Sequence, residues 1–141
     1  MDAVTGPGVG DRSIDRRTVV IGVLDVVLLS ALVAGGALSH GHDPITAPIE
    51  TLETVLPFVL GWLVVAAIAG VYTSDVSSSV GRTIRLLTVT WLGAANVGLL
   101  LRQSALFDGG AAWPFPLVMT GLGLLVIVGW RVVVTALTAS E

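Results

Sequence analysis

Thr18-Val-Val-Ile-Gly-Val-Leu-Asp25-Val-Val-Leu-Leu-Ser-Ala-Leu-Val-Ala-Gly-Gly-Ala-Leu-Ser39 is an apolar run of membrane-helix type. It is long enough to cross a bilayer, whose hydrocarbon core of about 30 Å takes roughly 20 residues of helix. It lacks the alternation of a strand, and an open sheet edge in lipid would leave backbone groups unsatisfied. One carboxylate, Asp25, interrupts it. An ionisable side chain at that depth calls for a buried partner or a function.

Charges divide the rest of the chain into three further spans. Nothing between Glu53 and Asp75 is charged, and the same holds from Arg85 to Arg102 and from Asp108 to Arg131. The spacing predicts helices near 18–39, 53–73, 82–102 and 112–137. The expected fold is all-α, an integral membrane bundle of four transmembrane helices forming a single domain over 17–141. Composition agrees: 54% of residues are hydrophobic and 12% charged, against about 25% charged in a soluble domain. The mean hydropathy is +0.92. Seventeen glycines suit close helix packing in lipid.

Cysteine is absent, which excludes disulfides, thiolate metal sites and cysteine nucleophiles. All seven cationic residues are Arg; with ten acidic residues, this points to a GC-rich, salt-adapted (halophile) proteome. A net charge of -3 without a basic run leaves no footprint for nucleic acid.

Arginine placement sets the expected direction. Arg12, Arg16 and Arg17 precede the first span and Arg82 and Arg85 open the third, so the positive-inside rule puts both termini in the cytoplasm of a multi-pass cell-membrane protein. Met1 to Arg16, rich in Gly and lacking apolar periodicity, is expected to be a disordered cytoplasmic tail. Arg16-Arg17 ahead of a run ending Ala37-Leu38-Ser39 resembles an export signal, but Asp25 in its middle and three further spans argue against one. The loop from His40 to Leu52 is read as external.

Depth pairs the intramembrane charges. At 1.5 Å per residue Asp25 lies about 10 Å and Arg131 about 9 Å from the cytoplasmic ends of their helices, so the two can neutralise each other. Three readings stay open: an ion pair that fixes packing, an Arg131 that snorkels to the interface, or a carboxylate that handles protons. On a helical wheel Gly22, Asp25, Leu29, Leu32, Gly36, Ser39 and His40 share the side expected to face the bundle. At the outer end His40 and Arg102 form a polar rim suited to an anionic headgroup, unless Arg102 only caps the third helix. His40 and His42, with Asp43 beside them, are the residues a metal or redox role would use; a terminal His-Gly-His is more often a solvated turn, and no metal site is assigned.

Pro57-Phe58-Val-Leu-Gly61-Trp62 is expected to bend the second helix and admit a neighbour at Gly61. In the third helix Asn96, with Arg85 and Gln103, lies opposite Trp91, Gly98 and Arg102, and only one of these faces can point inward. Trp113 and Trp130 read as interfacial anchors. Hydrolase triads, phosphate loops, dinucleotide folds and zinc-protease motifs are absent.

In the order and spacing of Asp25, Gly36-x-x-Ser39-His40, Pro57-Phe58-x-x-Gly61-Trp62, Gly98-x-x-x-Arg102 and Gly129-Trp130-Arg131, the chain resembles the four-span membrane family called domain of unknown function 3054, found in salt-loving archaea and actinobacteria. The resemblance runs from Asp25 to Arg131, with Ala37 and Gln103 standing where the family favours basic residues. It implies an integral membrane protein without assigning an activity. The function expected is therefore non-enzymatic, a structural or accessory membrane component without a cofactor, in contact with lipid and with a second copy or another membrane protein. The alternatives are a small proton- or ion-coupled transporter acting as an oligomer, and a membrane redox or metal-binding protein using His40 and His42.

Overall fold

The computed structural model describes residues 15–73, 79–107 and 110–139. Four helices make up the fold: α1 (Arg16–Ser39), α2 (Pro48–Ala69), α3 (Val80–Gln103) and α4 (Phe115–Ala139). All four are long and apolar enough to span a membrane. The tail expected over Met1 to Arg16 lies, up to residue 14, outside the described residues.

Local chemistry sets the ends. The Asp15 carboxylate accepts from the Arg17 amide at the start of α1, and the Ser79 hydroxyl accepts from the Arg82 amide at the start of α3. These side chains satisfy donors that a helix N-terminus leaves free. α2 differs from its expected bounds of 53–73, starting more than a turn earlier and ending earlier too. Pro48 explains the start, since its preset φ and missing N–H suit the first helical turn. Gly70 explains the end: at φ 72° it takes the left-handed conformation that closes a helix, and the Val71 amide turns back to the Ala66 carbonyl. Tyr72 is thereby released from the helix into the connection.

The helices form a ring in chain order, each packed on the next and α4 closing against α1. α2 and α3 approach most closely, because small residues remove the side chains that would hold them apart. A Cβ at Gly61 would lie 2.6 Å from the Ala94 carbonyl oxygen, and one at Gly98 would lie 2.6 Å from the Phe58 ring. Between α3 and α4 the Trp91 indole rests directly on Gly123 and donates to the Thr120 carbonyl at 2.9 Å. Phe58, Trp62, Leu87, Trp91, Ala94 and Ile127 form the sealed centre. The outer surface is apolar too, with Ile68, Leu100 and Leu125 among the most exposed side chains. That distribution suits a solvent of hydrocarbon rather than water.

Pro57 sits inside α2, buried beside Phe58, Gly61 and Trp62. On α3 the Trp91 and Gly98 face points inward, and Asn96 is exposed with its amide returned to the Leu92 carbonyl of its own helix. On α1 the expected inward side holds only in part. Asp25 and Leu29 are buried, with Val33, whereas Gly36, Ser39 and His40 are exposed. Over its C-terminal third α1 lines a cavity that it shares with α2, α3 and α4.

Candidate functional site

Two polar clusters occupy opposite ends of the bundle. One, at the end where α1 begins and α4 finishes, is built on Asp25, which has no exposed surface. Arg131 on α4 meets it with two nitrogens: Nη2 lies 2.9 Å from Oδ2, and Nε lies 3.0 and 3.2 Å from the two oxygens. This fork-on-carboxylate geometry adds direction to charge. Trp130 Nε1 donates to Oδ1 at 2.8 Å, and the Tyr72 hydroxyl donates to Oδ2 at 2.8 Å. Tyr72 in turn accepts from Trp62 Nε1 at 2.9 Å, and the Arg131 guanidinium lies 5.3 Å from its ring centre. Gly22, one turn before Asp25, gives the phenol its place: a Cβ there would touch the ring at 3.5 Å.

Asp25 therefore receives hydrogen bonds from three side chains on two other parts of the chain, α4 and the end of the α2 arm. Among the described residues no buried side-chain nitrogen or oxygen lacks a partner. Burial, followed by the neighbouring Asp25 charge, raises the Tyr72 phenol above its ordinary value, which keeps it a proton donor. Nearby, Thr83 and Thr135 share a hydrogen bond of 3.1 Å between α3 and α4, and Arg17 Nη2 donates to Thr138 across α1 and α4.

Trp130 is not a plain interfacial anchor, as its place near a helix end suggested. Its position next to Arg131 turns its N–H onto the carboxylate. Tyr72 had no place in the sequence-based set, and Trp62 entered it only for packing. The one signal for Tyr72 was its singularity, as the chain has a single tyrosine, two residues past Gly70.

At the opposite end, where α1 and α3 finish, His40 and Arg102 line one cavity of about 740 Å3, together with His42, Glu50 and Glu53. His42 Nδ1 and Glu50 Oε2 stand 3.3 Å apart, both well exposed. Arg102 differs from the expected helix cap: its Nε donates 2.7 Å to the Gly110 carbonyl in the α3–α4 connection rather than to a carbonyl of α3. The Gly110 amide returns a bond of 3.1 Å to the Arg102 carbonyl, and the guanidinium carbon stands 4.7 Å over the Phe115 ring. Trp113 is exposed close by. Among the described residues no group of three His, Asp or Glu side chains gathers as a metal site would require. Asp25 lines neither this cavity nor a shallower groove between the start of α1 and the end of α4.

Neither a curated protein nor a solved structure matches the chain. A family model does, over residues 22–134, which takes in Asp25, Arg131, His40 and Arg102, the whole of α2 and α3 and most of α1 and α4. The chain belongs to that family, described as "Protein of unknown function (DUF3054)".

Proposed function

We propose that this protein is a non-enzymatic, structural or accessory component of the cell membrane, with both termini cytoplasmic, held together at its inner end by the Asp25 cluster. It works as a homo-oligomer or beside another membrane protein, and takes no part in nucleic-acid binding. The observation that carries this reading is the saturation of Asp25. A carboxylate that moves protons needs water or an acceptor within reach, whereas Asp25 has no exposed surface and accepts from Tyr72, Trp130 and Arg131 at 2.8–3.2 Å. α1 meets the bundle through few other buried residues, namely Leu29 and Val33. The cluster thus serves as a clasp that fastens α1 to α4 and to the turn after α2.

A thermal unfolding cycle on Asp25→Asn and Arg131→Gln in an uncharged detergent tests the clasp. Each single substitution leaves a buried charge without its counter-charge, a loss on the order of 3–5 kcal/mol. The double variant should lose clearly less than the sum, because the second change removes that orphaned charge. Strictly additive losses would refute the clasp. A stable Asp25→Asn variant that abolished proton flux in reconstituted vesicles would move the assignment to a proton-coupled carrier.

A further inference from the structure

The outer cavity has no part in the clasp, and its construction is that of a binding site. A volume of about 740 Å3 falls within the roughly 300–1,000 Å3 of ligand pockets. Its walls come from Leu32, Val33 and Gly36 of α1 and from Val118, Met119 and Leu122 of α4, all without charge. Its polar groups gather at one end, where Arg102 is partly buried. Among the described residues, no carboxylate lies within ion-pair distance of that guanidinium. Phe115 and the Gly110 carbonyl hold it in place through one face and Nε, leaving its Nη groups as donors. α4 also opens at this end with no acidic residue in its first turn to offset the positive pole of the helix.

We infer that this cavity binds a long-chain amphiphile carrying a single oxyanion, with its chain between α1 and α4 and its head on Arg102. Charge complementarity selects the head. A carboxylate or phosphodiester supplies Arg102 with a counter-charge that no described residue gives it, whereas Glu50 and Glu53 across the rim oppose a more highly charged anion. The shape of the site selects the chain. Gly36 leaves room for it, since a Cβ there would meet nothing within 4 Å. The ligand is therefore either a free fatty acid or an anionic phospholipid entering by one acyl chain, two sources of the same chemistry.

Native mass spectrometry of the full chain in an uncharged detergent distinguishes them, using palmitate, phosphatidylglycerol and, as the uncharged control, hexadecanol. Retention of palmitate identifies a free carboxylate as ligand, and retention of phosphatidylglycerol identifies a membrane lipid. In either case hexadecanol should bind at least about tenfold more weakly, since a charge-assisted hydrogen bond is lost. Arg102→Gln should weaken binding by a similar factor and Arg102→Lys should recover part of it. Gly36→Phe fills the cavity from an open position and should abolish binding while the protein stays folded, so the test survives if Arg102→Gln fails to fold. Equal binding of hexadecanol, undiminished binding by Arg102→Gln or Gly36→Phe, or no adduct with either anionic probe would overturn the inference.

Discussion

At the residue scale the interior is governed by how Asp25 is satisfied. A buried carboxylate carries a large desolvation cost, which is offset only when charge and hydrogen bonds meet it together. Arg131 supplies the charge, and Tyr72 and Trp130 complete the set. Tyr72→Phe keeps the ring on Gly22 and removes the donor, so it should cost about 1–3 kcal/mol in thermal unfolding. A loss no larger than that of an exposed substitution would mean that the hydroxyl contributes nothing to the clasp. Alkaline pH offers a second probe. Because Tyr72 is raised above its ordinary 10.0 in the folded protein, the unfolded chain gives up this proton first. Its contribution to stability is thus complete below pH 10 and fades as pH climbs from there through the folded value. As Tyr72 is the single tyrosine, the phenolate absorbance of the native protein should rise well above pH 10 and shift back on unfolding. A native titration midpoint at 10 would contradict this. Asp25 and Arg131 were legible because helical rise gave both one depth. Tyr72 was not, because it follows a left-handed turn at Gly70 that no helical-wheel argument crosses.

At the element scale α2 and α3 form the rigid half and α1 the lightly held one. In lipid, apolar burial does not drive helices together, so association rests on close packing and on polar contacts. Glycines provide the first between α2 and α3, and the Asp25 cluster the second for α1. The glycines are consequently unequal. Gly61→Ala sets a methyl group against the Ala94 backbone, which cannot rotate aside, and should cost about 1–3 kcal/mol by forcing the helices apart. Gly121→Ala and Gly129→Ala meet nothing within 4 Å and should be neutral or slightly stabilising, as alanine suits a helix interior better. Unfolding midpoints of the three variants, measured side by side, decide the matter; equal shifts would refute the packing argument. The apolar, small-residue pattern showed where close approach was available. It did not show which glycine receives which neighbour, and Trp91 on Gly123 is a pairing that only the arrangement of helices reveals.

At the scale of the whole molecule, the two polar clusters lie at opposite ends of one hydrophobic slab. The Asp25 cluster is closed and saturated; the one with His40 and Arg102 opens onto a cavity. The proposed direction across the membrane can be read with thiol labelling, since the chain has no cysteine to remove first. Ile45→Cys, exposed in the α1–α2 connection, should react with a membrane-impermeant maleimide on intact cells. Gly81→Cys, in open space at the start of α3, should react only after permeabilisation. The reverse pattern would invert the topology and the roles of the two ends. What depends on composition along one dimension was legible in the chain: four helices of spanning length, though not the bounds of α2, and the spacing of each charge from the end of its apolar run. A 30 Å apolar solvent imposes those through hydropathy and backbone satisfaction alone. What depends on azimuth and on turns came from the packing of the helices: which face of α3 points inward, that Trp130 and Tyr72 reach Asp25, and that the C-terminal third of α1 lines a cavity. In lipid these choices follow from steric fit and hydrogen-bond geometry, which hydropathy does not encode.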